Sequence, residues 1–275
     1  MKKLLVIGCG YVGKAAAQFY QKQNWEVTGW VRTETSANLL KSLQIQSYLA
    51  DVTKEENWHA LPKDFELAIY CAAGGTRSDI DLYRKVYLKG ITYAAKYLNP
   101  NTPLIFTSST SVYPQNRGEW VTETSPANPL TETGKILRAA EDVVLAREGI
   151  VLRLAGIYGP GRHRMIDRLN DTLSKGEKVE NRWINHIHRD DIVTALFTLA
   201  EKKVNGIFNG CDNQPVTLYE LLLWQANRSQ QTLPSWAELN TKPFTHKRVS
   251  NAKLRQLTWN PKFPTYQEGY VSLTH

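Results

Sequence analysis

The 275-residue chain predicts an α/β fold: a doubly wound parallel sheet with helices on both faces, followed by a smaller C-terminal lobe. Three observations predict it. Short apolar runs alternate with segments of helical spacing, the pattern of parallel strands joined by crossover helices. The first run ends in Gly8-Cys9-Gly10-Tyr11-Val12-Gly13 and a helical segment follows at once. Beyond Tyr158-Gly159-Pro160-Gly161 the alternation weakens and prolines interrupt the last stretch.

In chain order, Leu4–Ile7 is the first strand. Its apolar stretch is too short for a signal peptide, and Lys14 follows soon after the glycines. Gly13–Gln23 has helical spacing, and Trp25–Val31, Ser47–Leu49 and Leu67–Cys71 read as buried strands. In Asp79–Leu98 the residues Ile80, Tyr83, Tyr87, Ile91, Ala94 and Leu98 recur at helical intervals and make one apolar stripe. Leu104–Phe106 and Val151–Leu154 are strands on either side of the helix Gly134–Arg147. The Gly-Pro-Gly turn is a hinge out of the main sheet. Gly206–Asn209 is a further strand and Leu218–Ala226 a helix. The expected division is residues 1–158 for the nucleotide-binding domain and 159–275 mainly for the second lobe, with some segments returning to the first core.

Composition excludes several classes. The net charge of +8 comes from 34 basic and 26 acidic residues. The basic residues are scattered, without a dense run interleaved with aromatics, so no nucleic acid is expected as a partner. A small-molecule substrate, with anionic ones favoured, accounts for the excess. No apolar run approaches the ~20 residues of a membrane helix, so no membrane association is expected. Cys9, Cys71 and Cys211 are odd in number and widely spaced. They read as reduced thiols of a cytoplasmic protein, with no metal site.

The glycines carry the first chemistry. Gly8 permits a tight turn, Gly10 lets backbone approach a pyrophosphate, and Gly13 permits close helix–strand packing. The helix N-terminus, with Tyr11 and Val12 in its first turn, offers free N–H groups and partial positive charge to phosphate. At the end of the second strand stands Arg32, where an NAD site places Asp or Glu. A guanidinium there suits the 2′-phosphate of NADP, with NAD as the alternative. Asp51 and Val52 border the adenine, unless Asp51 caps the next helix. Ala72 and Ala73, after the fourth strand, complete the expected cofactor contacts. Thr107-Ser108-Ser109-Thr110-Ser111 ends the fifth strand at the carboxyl edge of the sheet, where ligands sit in open α/β folds.

Together with the glycine loop, Ser108-Ser109-Thr110-Ser111-Val112-Tyr113, Arg153-Leu154-Ala155-Gly156-Ile157-Tyr158-Gly159-Pro160-Gly161, His188-Arg189-Asp190-Asp191 and Ile207-Phe208-Asn209 resemble the extended short-chain dehydrogenases/reductases, the NAD(P)-dependent epimerase/dehydratase enzymes. The resemblance covers roughly residues 1–225. It implies a Rossmann domain with a small substrate lobe, and dimers through the helices Asp79–Leu98 and Gly134–Arg147. It also implies that Ser109 is the catalytic hydroxyl and Lys135 the lysine of the family's Tyr-x-x-x-Lys. The tyrosine position is Thr131, and none of the 13 tyrosines has a lysine four residues later. Tyr87 stands where the family has an asparagine. The stretch Asn128–Lys135 is similar to the YeeZ-type subgroup, which likewise lacks the tyrosine. Lys135 is then retained for the nicotinamide ribose, or is a plain surface lysine. Arg77, Tyr113, Arg162 and His163 fall on the substrate side, and Tyr113 is also suited to packing. Tyr113, Tyr158, His163, His186 and Cys71 are the conceivable substitutes for the phenol, each with a plainer structural role open to it. Two readings follow: an NADP-dependent oxidoreductase or epimerase-like enzyme on a small or sugar-like substrate, or a non-catalytic NADP(H)-binding sensor or interaction protein. If the site geometry is retained, Thr131→Tyr raises any weak reductase activity.

Overall fold

The computed structural model describes residues 1–74, 78–237 and 245–273. The first half alternates as predicted. β1 (Lys3–Ile7), α1 (Tyr11–Lys22), β2 (Glu26–Val31) and α2 (Glu34–Ser42) open it. β3 (Gln46–Leu49), the single turn α3 (Glu56–His59) and β4 (Leu67–Tyr70) follow. α4 (Ile80–Arg84) and α5 (Gly90–Tyr97) are joined by a π-helical turn over Lys85–Lys89. The predicted apolar stripe therefore belongs to one continuous helical path with a widened turn at Tyr87. β5 (Leu104–Ser109), the short β6 (Trp120–Val121), α6 (Glu132–Leu145) and β7 (Ile150–Leu154) complete this half.

The rest of the chain is β8 (Gly156–Tyr158), α7 (Arg164–Lys175), β9 (Trp183–Ile184), β10 (His186–His188), α8 (Arg189–Glu201) and β11 (Gly206–Gly210). After these come β12 (Val216–Thr217), α9 (Leu218–Ser229), β13 (Arg248–Val249), α10 (Ala252–Arg255) and α11 (Tyr266–Val271).

Seven strands form one sheet in the order β11-β7-β5-β4-β1-β2-β3, and every pairing in it is parallel. Helices cover both faces, so the central strands are buried on both sides and read as apolar runs rather than alternating ones. Leu4, Leu5, Val6 and Ile7 are fully buried, as are Ala68, Ile69 and Tyr70 of β4. The strand order reverses between β1 and β4. In such sheets the crevice at this switch point, outside the carboxyl ends of the strands, is the ligand site.

Two apolar clusters divide the core. The larger spans the sheet and its helices. The smaller gathers Tyr158, Leu169, Ile184, Leu222, Tyr266 and Tyr270 around α7, α9 and α11. Between them the chain returns to the sheet: α8 packs on α1, and β11 adds beside β7 with Phe208 opposite Leu152. Short two-stranded ladders lie outside this sheet. Ile187 of β10 pairs with Ile157 of β8, and Arg248 of β13 pairs with Trp120 of β6. Among the described residues no helix is long and apolar enough to cross a membrane.

Candidate functional site

The glycine loop lies at the switch point. Gly8 has φ +84°, a conformation glycine adopts without penalty. A Cβ on it would fall 2.2 Å from the Ala72 Cα, so the loop and the chain after β4 touch backbone to backbone. A Cβ on Gly13 would fall 2.5 Å from the Gly8 carbonyl oxygen and 3.0 Å from Val6 Cγ1, which fixes how closely α1 approaches β1. Gly10 is different: nothing lies within 4 Å of a Cβ placed there. Its N–H donates to the Gly8 carbonyl at 2.8 Å, and no side chain caps α1. The first-turn N–H groups of Tyr11, Val12 and Gly13 have no partner within the helix itself. No acidic residue stands in that turn to neutralise it. The result is an open cradle with positive partial charge, the geometry a dinucleotide pyrophosphate requires.

At the far end of the crevice, Arg32 is exposed between β2 and α2. Thr33 beside it caps α2, accepting from the Ser36 N–H at 3.3 Å, so the loop has a fixed form. Asp51 does not cap a helix. Its Oδ1 accepts from the Thr53 N–H at 2.9 Å, and the Val52 carbonyl accepts from Trp58 Nε1 at 3.0 Å. Ala73 is exposed after β4.

β5 runs on to Ser109, three residues past its predicted end. Alternation along the strand sends neighbouring hydroxyls to opposite faces. Ser108 is buried and donates to Glu141 Oε1 at 2.7 Å. Glu141, fully buried in α6, takes two hydrogen bonds from Arg153 of β7, at 2.9 and 2.6 Å. Burial opposes the charge of Arg153, but Glu141 and Tyr113 more than offset it and hold its pKa above the ordinary value. The guanidinium lies 4.7 Å from the Tyr113 ring centroid. Tyr113, expected on the substrate side, is 2% exposed and donates its hydroxyl to Asn209 Oδ1 at 2.9 Å. It packs under the site rather than lining it. Ser109 is half-buried at the strand end, and its Oγ accepts from the Ser111 N–H at 3.2 Å.

Thr131 has a structural task. It is the N-cap of α6, and its hydroxyl accepts from the Gly134 N–H at 3.2 Å. The position thus stands before the helix, not on its face. Lys135, in the next turn, donates to Glu132 Oε1 at 2.8 Å and is 58% exposed. Ser109 and Lys135 share no hydrogen bond among the described residues.

The Gly-Pro-Gly turn folds back onto the glycine loop. Tyr11 donates its hydroxyl to the Pro160 carbonyl at 3.2 Å. Gly159 has φ +147°, and a Cβ there would lie 2.8 Å from that hydroxyl. Two guanidiniums, of Arg162 and Arg189, each lie 5.4 Å from the Tyr11 ring centroid. Arg189 is held by Asp190 at 2.8 and 2.9 Å. Burial raises the Tyr11 pKa while the two arginines oppose the rise. His163 is exposed, 3.8 Å from Asp167. Arg77 lies outside the described residues.

Sequence reasoning passed over Arg189 as a site residue, although it stands in the quoted His-Arg-Asp-Asp motif. It named Tyr158 and His186 but not the buried polar group behind the turn to which they belong. Tyr158, His186, His188, Asp212 and Tyr270 each bury a polar side-chain atom that has no hydrogen-bond partner among the described residues. Burial pushes the Tyr158 phenol further above neutral pH, which removes it as a substitute for the absent phenol. Burial lowers His186 and His188 to about 4. It raises Asp191 to about 6, although the Lys262 and Phe263 N–H groups at 2.6 and 3.2 Å oppose this. The three cysteines are free, and burial lifts Cys9 and Cys71 to about 12.

Comparison with known proteins agrees with this geometry. Residues 4–210 match the NAD dependent epimerase/dehydratase family. The chain is 31% identical over 220 residues to Protein YeeZ of Escherichia coli strain K12, covering 77% of this chain and 78% of that one. A structure from Methylobacillus flagellatus, described as a candidate NAD-dependent epimerase/dehydratase, superposes with a TM-score of 0.82 at 29% identity, over 99% of this chain and 97% of the other. The dTDP-glucose 4,6-dehydratase of Bacillus anthracis, solved with NAD, shares the fold at 19% identity, with a TM-score of 0.80 over 99% and 95% of the two chains. By the match to residues 4–210 and the likeness to YeeZ, the chain belongs to the NAD dependent epimerase/dehydratase family.

Proposed function

We propose that the protein binds NADP(H) at the glycine loop and acts as an epimerase/dehydratase-like oxidoreductase on a small or sugar-like substrate. The observation that carries this reading is the open space over Gly10, bounded by the close contacts of Gly8 and Gly13. The pyrophosphate would lie on the first turn of α1, with Arg162 and Arg189 beside Tyr11 as its counter-charges. Arg32 would meet the 2′-phosphate, and Asp51, Val52, Ala72 and Ala73 would border the adenosine and the linking phosphates. The nicotinamide, when bound, supplies the hydride chemistry. Ser109 would orient the substrate hydroxyl or carbonyl at the end of β5. The proton would come from water or another group, because Thr131 carries no ionisable phenol. Lys135 would reach the ribose after releasing Glu132. The free thiols accord with a cytoplasmic protein, and a homodimer through α4, α5 and α6 belongs to the same reading.

NADPH titration by fluorescence tests the core of the proposal: micromolar affinity, weakened by Arg32→Glu more for NADPH than for NADH, is expected. Absence of binding below millimolar would remove it. Substrate-dependent NADPH oxidation should disappear in Ser109→Ala. The second reading, a non-catalytic NADP(H)-binding protein, draws on the outward pairing of Lys135 with Glu132 and on the use of Thr131 as a cap. Tight NADPH binding with no turnover across small carbonyl compounds would favour it.

A further inference from the structure

Three successive carbonyls after β3 are each taken by a side-chain donor. Trp30 Nε1 donates to the Ala50 carbonyl at 2.7 Å, Asn57 Nδ2 to the Asp51 carbonyl at 3.0 Å, and Trp58 Nε1 to the Val52 carbonyl at 3.0 Å. The Lys54 N–H adds a longer bond to the Asp51 carbonyl, at 3.2 Å. Two of these donors belong to the single turn α3, which is itself fixed. Trp58 is fully buried, its ring centroid 4.3 Å from that of Trp30. The Tyr48 hydroxyl of β3 donates to the Asn57 carbonyl at 2.6 Å.

A trans peptide sets its C=O and N–H on opposite sides of the chain, and the peptides here are trans. The Asp51–Val52 peptide turns its carbonyl to Asn57 and Lys54, so the Val52 N–H points the other way and has no partner among the described residues. In the next peptide the Val52 carbonyl meets Trp58, while the Thr53 N–H donates to Asp51 Oδ1 at 2.9 Å. That bond holds the carboxylate and leaves Oδ2 without a partner among the described residues. One donor and one acceptor on neighbouring residues are thus left for a ligand. Such a pair matches the edge of a 6-aminopurine, whose N1 accepts and whose 6-amino group donates. A 6-oxopurine presents the reverse, an N1–H and an oxygen.

We propose that Asn57 and Trp58 are positioning residues for the dinucleotide: they hold two peptide planes at Asp51 and Val52 in the orientation that selects adenine against a 6-oxopurine base. The inference rests on reading Asp51 and Val52 as the border of the adenosine, and it adds two residues that act through the loop rather than on the base. Without the Asn57 amide only the 3.2 Å bond from Lys54 holds the Asp51 carbonyl. The peptide can then turn over and offer that carbonyl to the N1–H of a 6-oxopurine. Without the Trp58 indole N–H the following peptide loosens, and with it the Asp51 carboxylate.

The test titrates NADPH and, separately, reduced nicotinamide hypoxanthine dinucleotide phosphate into the full chain by fluorescence; the two differ only in carrying a 6-amino or a 6-oxo purine. The wild type should bind NADPH about tenfold or more tightly, because hypoxanthine sets an oxygen against the carboxylate and an N–H against an N–H. Asn57→Leu, of similar size, should weaken NADPH and bring the two affinities within about threefold. Trp58→Phe keeps a buried ring beside Trp30 and drops the indole N–H, and should narrow the ratio in the same direction. A role in packing alone would weaken both dinucleotides alike and leave the ratio as it is. An unchanged ratio in Asn57→Leu, or a wild type that binds the two equally, would overturn the inference while the dinucleotide reading stands. Should Asn57→Leu fail to fold, the Trp58→Phe ratio decides alone. A wild type that binds neither below millimolar would remove the dinucleotide reading and this inference with it.

Discussion

Replacing Thr131 separates a structural from a catalytic account of this position. Its hydroxyl accepts the Gly134 N–H at 3.2 Å, and its backbone is extended, at φ −81° and ψ 148°, just ahead of α6. Thr131→Ala removes one cap hydrogen bond and should cost about 1 kcal/mol. With an unfolding entropy of about 2.1 cal/mol/K per residue over 275 residues, that becomes a drop of about 2 °C in melting temperature. Thr131→Ser keeps the hydroxyl and should melt as the wild type does. Thr131→Tyr loses the cap and sets its phenol on a residue that precedes the helix. It should melt near the alanine variant and gain no NADPH-dependent reductase activity, contrary to what the sequence alone suggests. Differential scanning calorimetry with a parallel NADPH-oxidation assay decides. A tyrosine variant that melts like the wild type and reduces carbonyl compounds faster would refute the reasoning, as would an alanine variant with unchanged melting.

Two glycines of one loop should behave oppositely. Gly8→Ala forces a methyl to 2.2 Å from the Ala72 Cα at a positive φ, and should cost about 2 kcal/mol or more in thermal stability. Gly10→Ala meets nothing within 4 Å, so it should melt normally while losing NADPH affinity in a fluorescence titration. Glu141→Gln leaves Arg153 buried without its counter-charge, and urea unfolding should register a loss of about 3–5 kcal/mol. His186 is neutral in the fold because burial lowers it to about 4 from 6.5. Its contribution is therefore intact above pH 6.5 and is lost as pH falls toward 4, because the unfolded chain takes up the proton that the fold refuses. At pH 5 the loss is about 2 kcal/mol. His186→Phe should flatten the fall in stability between pH 7 and 5, and identical slopes would rule this out.

The central strands were legible because burial on both faces turns each into an apolar run, as at Leu4–Ile7 and Val151–Leu154, whereas β3, read as buried, is an edge strand with Gln46, Ser47 and Leu49 exposed. The tight turn at Gly8 and the close helix–strand approach at Gly13 were legible too, since a glycine loop between strand and helix is a local pattern. What could not be read depends on partners far along the chain. β6 and β13 have two residues each and are held to one another across more than a hundred positions. Glu141 reads as one more polar residue of a helix until β7 brings Arg153 against it. Thr131 looked like a gap in a motif because the motif, not the helix start, framed it.

The place of β11 at the edge of the sheet bears on how the protein is made. β7 ends at Leu154, and its outer neighbour begins only at Gly206. During synthesis the ribosome therefore holds back the strand that covers β7 until all of α7 and α8 have emerged. For that interval β7 presents an unpaired edge, apolar at all its residues but Arg153, the kind of surface on which nascent chains aggregate. A chain cut at the Gly-Pro-Gly turn would carry that edge permanently. The nucleotide-binding half is thus not a detachable module, and the second lobe is borne on a loop that the sheet must wait for.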